Sequence, residues 1–255
     1  MPPGQIVVIM EYAGTRYGGF QWQANAATVQ DETSKALHRL TGERTRVMAA
    51  SRTDSGVHAR GQVVCLSTGS SLPVKALVSG LNHYLPDDIA VRSAHRVPDT
   101  FNVRRDALSR EYGYYILNRP ARSPLWSGRA YQVKARLDIK AMNQASQGLL
   151  GQHDMASFVT GDATGIKSTV RSLYRAEAEW QGDMVIYRMV ANAFLPHQVR
   201  NTVGALIRVG LGKMSVSQFY DIIEAKKPGL AWPTAPACGL YLERVNYAGP
   251  FEETM

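Results

Sequence analysis

The sequence predicts an α+β protein of two ferredoxin-like (RRM-like) units whose antiparallel sheets flank a central active-site cleft. Three observations carry that expectation. Short apolar stretches of strand character alternate with stretches of helical period. Their order in the first hundred residues is strand, helix, strand, strand, helix, strand, the split βαβ arrangement. The same order then recurs in the second half of the chain.

Gln5 to Tyr12 reads as the first strand and Thr28 to Leu40 as a helix, with Thr28 as its N-cap and Val29, Ala36, Leu37 and Leu40 apolar. Arg46 to Ser51 and Gly61 to Ser67 read as strands, Ser71 to Tyr84 as a helix with Val74, Leu77, Val78 and Leu81 on one face, and Ile89 to Val97 as the closing strand. In the repeat, Tyr112 to Leu117 is a strand and Asp138 to Leu150 a capped helix. Val170 to Trp180 and Met184 to Val190 form a hairpin around Gln181-Gly182-Asp183, Val199 to Leu211 is a helix, and Leu240 to Tyr247 the last strand. The domains are therefore set at 1–105 and 106–255, the second carrying a long Pro-, Arg- and Ser-rich surface insertion from Asn118 to Arg136.

At 255 residues, 45% hydrophobic and 20% charged, the chain has the composition of a soluble globular protein, and no apolar run approaches the roughly 20 residues of a membrane span. The first residues lack a basic n-region, so a cytoplasmic location and no membrane partner are expected. Cys65 and Cys238 have no disulfide or metal spacing and read as plain thiols. Of the net charge of +8, the stretch Arg96 to Arg136 alone carries +6, from nine Arg or Lys against three Asp or Glu. It also holds Phe101, Tyr112, Tyr114, Tyr115, Trp126 and Tyr131. Cations interleaved with aromatics suit phosphates and unstacked bases, although a solvated basic face has the same composition.

Familiar catalytic devices are missing: no Walker loop, no GxGxxG after a strand, no HExxH and no GxSxG. The six histidines are scattered without ligand spacing, and no metal is implied. What remains is the polar, Gly-containing stretch from Ala50 to Ala59, wedged between two apolar strands. Read by itself, Asp54 there is either a turn former whose carboxylate takes nearby N–H groups or a reactive group.

Ser51-Arg52-Thr53-Asp54-Ser55-Gly56-Val57-His58-Ala59 resembles the signature GRTDAGVHA of the TruA family of tRNA pseudouridine synthases. Other stretches agree in order: Glu11 to Gln23, Leu81 to Pro86, Phe101 to Arg104, Arg110 to Tyr114, Ala191 to Asn201, and Gly239 to Leu242. Ser51, Ser55, Pro196 and Gln198 depart from the usual glycine, alanine, basic or polar residue, and methionine. None of the four removes a presumed catalytic group.

The resemblance implies a cofactor-free isomerase that converts uridine to pseudouridine in the anticodon arm of tRNA, flips the target base, and acts as a homodimer. It makes Asp54 the nucleophile, attacking C6 or C1′ or assisting glycal formation. It makes Arg200 the cation that keeps Asp54 ionised, and places Tyr112 against the uracil, its hydroxyl assisting loss of the C5 proton. Leu240 packs beneath the base, Arg52 fills the vacated stack or holds a phosphate, and His58 and Arg110 are further substrate-binding positions. Periodicity alone sets Arg200, Gly204 and Arg208 on one helix face, opposite the apolar Val199, Val203, Leu206 and Ile207, where Gly204 allows close approach of substrate or of another backbone. Two rivals stand beside this reading. A non-catalytic RNA-binding module lacks the RRM strand motif, and an Asp-nucleophile nucleoside hydrolase would want a second carboxylate near the signature.

Overall fold

Five consecutive apolar residues, Ile6 to Met10, are too short a run for a buried helix and are almost wholly shielded from solvent. In the computed structural model, which describes residues 5–45, 47–160 and 165–249, they form the middle of β1 (Gln5–Tyr12). After β1 come α1 (Val29–Thr41), β2 (Val47–Ala49), β3 (His58–Ser67), α2 (Val74–Tyr84) and β4 (Ile89–Val97). β1 is hydrogen-bonded antiparallel to β3 on one side and to β4 on the other. The three-residue β2 lies along the far half of β3, pairing Val47 with Leu66 and Ala49 with Val64. Thr28 caps α1 as the sequence requires, accepting the Asp31 N–H at 3.2 Å. α2 starts three residues later than the periodicity suggests. Pro73 occupies its N-cap in an extended conformation and pushes Leu72 away from helical angles. The expected start of β2 at Arg46 lies outside the described residues.

The second unit comprises β5 (Ala107–Leu117), β6 (Tyr131–Gln132), α3 (Ile139–Gln147), β7 (Gly151–Asp154), β8 (Val170–Gln181), β9 (Met184–Ala191), α4 (Gln198–Gly210) and α5 (Val216–Ala225). β5 pairs with β9, β9 with β8 and β8 with β7, all antiparallel. In the first unit β1 lies beside β3 and β3 beside β2; in the second β5 lies beside β9 and β9 beside β8. The β8–β9 hairpin turns at Gly182 as expected, with a positive φ of 61°. Asp138 caps α3 by accepting the Ala141 N–H at 3.0 Å. The insertion is no free loop, because Asn118 grips its far end. The Asn118 amide donates to Val133 O and Ala135 O at 2.7 Å and its carbonyl accepts Leu137 N–H at 3.0 Å.

The largest difference from the sequence reading concerns the last strand, β10 (Leu240–Tyr247). It was assigned with residues 106–255. The compact units are instead Ser109–Leu240, and Met1–Leu108 together with Tyr241–Met255. The reason is an edge. β2 covers only the end of β3, leaving the start of β3 with unpaired backbone groups. β10 fills that gap in parallel register, Tyr241 against His58 and Leu242 against Ala59. Gly61 makes the approach possible: a Cβ there would stand 2.5 Å from the Glu243 carbonyl oxygen. No helix among the described residues is long and apolar enough to cross a membrane.

Candidate active site

The signature residues occupy the loop between β2 and β3, and the loop is fastened from beneath. The hydroxyls of Tyr12 and Thr53, both buried, share a hydrogen bond of 2.8 Å. Gln62, fully buried on β3, donates from its amide to Ser51 O at 2.8 Å and accepts the Ser51 N–H at 3.4 Å. The segment after β1 closes the other side: Phe20 N–H donates to Thr53 O at 3.1 Å, and Ser55 Oγ donates to Tyr17 O at 3.2 Å. Val57 N–H bonds back to Asp54 O at 3.1 Å, making the Asp54–Val57 segment a turn. Gly19, at φ 106°, lies so near that a Cβ would sit 2.7 Å from Thr53 O. Backbone and buried hydroxyls therefore set the path of the loop around the half-buried Asp54. Arg52 beside it is exposed.

His58, expected to touch substrate, is 2% exposed. Its Nδ1 accepts the Gly14 N–H at 3.2 Å, which puts the ring proton on Nε2 in the neutral form. The ring stacks on Tyr241 with centroids 4.6 Å apart. In the structure the histidine thus ties the loop exit to β10.

Arg110 and Tyr112, two residues apart on β5, point to one face of that strand. Both are buried. Arg110 donates from Nη1 to Asn192 O at 2.7 Å, and the Tyr112 ring meets Phe194 edge-on at 5.1 Å. Both partners lie in the loop from β9 to α4, so the two β5 residues hold the approach to the helix that carries Arg200. That helix begins after His197, whose φ is 59°, and Gln198 folds back to accept Leu195 N–H at 2.8 Å.

Along α4 runs a strap of irregular chain, held from successive turns of the helix. Arg208 Nη1 donates to Trp232 O at 3.1 Å, and Thr234 Oγ1 to Asn201 Oδ1 at 2.6 Å. Arg200 Nε donates to Ala235 O at 2.8 Å while Ala235 N–H returns to Arg200 O at 3.1 Å. Gly204 is the contact point between them, its missing Cβ only 1.8 Å from the Pro233 carbonyl oxygen. Close approach at Gly204 is thus made by the chain's own backbone. Downstream, Tyr114 donates to Pro236 O at 2.7 Å, and burial raises its phenol so that the proton stays in place. The Cys238 thiol is likewise raised by burial, an effect partly opposed by the positive charge of Arg200.

A family model described as tRNA pseudouridine synthase matches residues 8–106 and 145–248. The chain belongs to the tRNA pseudouridine synthase family. Its relatives named tRNA pseudouridine synthase A include one from Myxococcus xanthus, 41% identical over 95% of this chain and 92% of the relative. Others are from Roseiflexus castenholzii, 43% identical over 95% and 90%, and from a Thermoanaerobacter strain, 39% identical over 95% and 99%. The synthase match reaches into both units and leaves out the whole of the basic insertion.

Of the site residues expected from the sequence, Arg52, Asp54 and His58 share one loop and the strand it enters, whereas Arg110, Tyr112, Arg200 and Leu240 belong to the second unit. Leu240 is buried at the start of β10, just after Gly239, whose missing Cβ would lie 2.7 Å from the Tyr114 ring. Of the supporting residues, Tyr12, Phe194 and Asn201 lie in stretches that agree with the family without an assigned role, whereas Gln62 sits in a stretch that reads as ordinary strand.

Proposed function

We propose that the protein isomerises uridine to pseudouridine in the anticodon stem-loop of tRNA, with Asp54 as nucleophile, Arg200 as its counter-charge and Tyr112 against the uracil. The reaction breaks the N1–C1′ bond, turns the base, and joins C5 to C1′. The C5 proton leaves and N1 gains one, so the overall composition is unchanged. One observation supports this most: the Asp-bearing signature loop is held by Tyr12, Gln62 and Gly19, within a family match that spans both units. Backbone and buried hydroxyls fix the path of the loop, and a nucleophile needs such a fixed presentation. The repeated strand order supports reading both units as ferredoxin-like. Arg52, Leu240, His58 and Arg110 complete the substrate-binding set, His58 and Arg110 by fixing the segments around the base. The working form is a cytoplasmic homodimer that binds one tRNA anticodon arm and needs no cofactor.

The test uses tRNA tritiated at uracil C5. The protein releases tritium to water without any added cofactor, and Asp54→Asn releases none while its affinity for tRNA stays within about twofold. Release of free uracil would assign the chain to nucleoside hydrolysis, and tRNA binding without tritium release to a pure binding module.

A further inference from the structure

The strap over α4 ends in a feature that neither its packing nor the synthase reaction accounts for. Gly229 N–H donates to Val159 O at 2.9 Å and Ala231 N–H to Ser157 O at 3.1 Å, so alternate residues of the strap bond inward. Ala231 is buried, and the side chains between turn outward. Leu230 is 42% exposed and Trp232 is 70% exposed. A large apolar ring on a mobile loop would be unremarkable. Trp232 differs because its backbone is held at every neighbouring position: by Arg208 at its own carbonyl, by the Gly204 contact at Pro233, by Asn201 at Thr234 and by Arg200 at Ala235. An indole that adds little buried area is thus presented from one of the best-anchored irregular segments of the unit.

Its position relative to Arg200 indicates an occupant. Arg208 and Arg200, which hold Trp232 and Ala235, are eight residues apart on α4, roughly 12 Å of helix. That equals about three to four stacked bases at roughly 3.4 Å each. The guanidinium of Arg208 lies against the carbonyl of the same tryptophan, and the strap leaves α5 through the exposed Lys226 and Lys227. A rigid exposed aromatic ring beside the Arg208 cation, within a few nucleotides' reach of Arg200, the residue assigned to Asp54, is the composition of a stacking platform for an unpaired base.

We propose that Trp232 stacks on an unpaired base of the anticodon loop, about three to four nucleotides from the target uridine, and so fixes which uridine reaches Asp54. This inference rests on the synthase reading above. Since the ring is exposed, its removal leaves the fold intact.

The experiment compares the parent with Trp232→Ala and Trp232→Phe, by tritium release from two anticodon stem-loop RNAs, one native and one with abasic loop positions. With the native RNA, KM for Trp232→Ala rises roughly tenfold, Trp232→Phe recovers most of the loss, and kcat stays within about twofold. The abasic RNA raises the parent's KM by a similar factor and leaves that of Trp232→Ala nearly unchanged. An active parent with an unchanged KM in Trp232→Ala overturns the proposal. So does a loss in Trp232→Ala that persists undiminished on the abasic RNA, or a change in its sedimentation showing that the ring packs against a second copy of the chain. A parent with no tritium release on intact tRNA would instead refute the synthase reading itself.

Discussion

Replacing Gly204 with alanine should disconnect the strap from α4. The new Cβ would lie 1.8 Å from Pro233 O, 3.0 Å from its carbonyl carbon and 3.2 Å from Ala235 N, all backbone atoms that no rotamer change can move. Ordinary contact requires the strap to retreat by roughly 1.5 Å or more. A retreat of that size stretches the bonds from Arg208 to Trp232, Thr234 to Asn201, and both bonds joining Arg200 to Ala235. Each contributes about 1 kcal/mol net, and those from guanidinium groups somewhat more. Against this, alanine gains about 1 kcal/mol over glycine in a helix interior. The net loss is then about 3 kcal/mol, which for a chain of this size lowers Tm by roughly 6–12 °C. Differential scanning calorimetry measures it, and tritium release should fall with it, since Arg200 loses its anchor. A Gly204→Ala protein at least as stable as the parent would refute the reasoning, because helix propensity would then be the only effect present.

Tyr12→Phe deletes one buried hydroxyl and strands that of Thr53. It should lower stability by about 1–3 kcal/mol and reduce kcat more than it raises KM, as steady-state kinetics on tRNA would report. Burial pushes the Cys65 thiol up to about 11 and also raises that of Cys238. Since only the thiolate is nucleophilic, neither thiol should react readily with a disulfide reagent at pH 8 until the protein is unfolded, when both should. The linkage has a sign: an unfolded chain loses its Cys65 proton near pH 9 while the folded one keeps it to about 11, so this contribution to stability is present below pH 9 and disappears between those values. Urea titrations across that window should show the midpoint falling more steeply in the parent than in Cys65→Ala.

α1 and α3 are legible, because Thr28 and Asp138 each sit directly before the periodic residues they cap. α5 is equally readable in principle, as Ser215 and Gln218 form a full capping box, although it is not among the elements expected from the sequence. β7 was not readable: Gly151-Gln152-His153-Asp154 has no apolar alternation and is a strand only because β8 offers an edge. The proposed site residues Asp54, Tyr112 and Arg200 drew attention through the stretches that resemble the family, and Gly204 through its small size. Gln62 did not, since a buried glutamine looks in sequence like any polar residue of a strand. The membership of β10 was hidden for a different reason. Its pairing with His58 spans 183 positions, and nothing local to residues 240–247 records that a distant strand has been left half covered.

That pairing also sets a timetable. The first unit holds the signature loop between β2 and β3, yet the strand beside the loop exit is synthesised 183 residues later. At about 5–20 residues per second, the interval between synthesis of His58 and Tyr241 is roughly 10–40 seconds. Through all of it the nascent first unit has an open margin at the start of β3, and Asp54 has its loop without the aromatic neighbour that locks His58. The two halves mature together: the earlier one stays unfinished until the later one has been made.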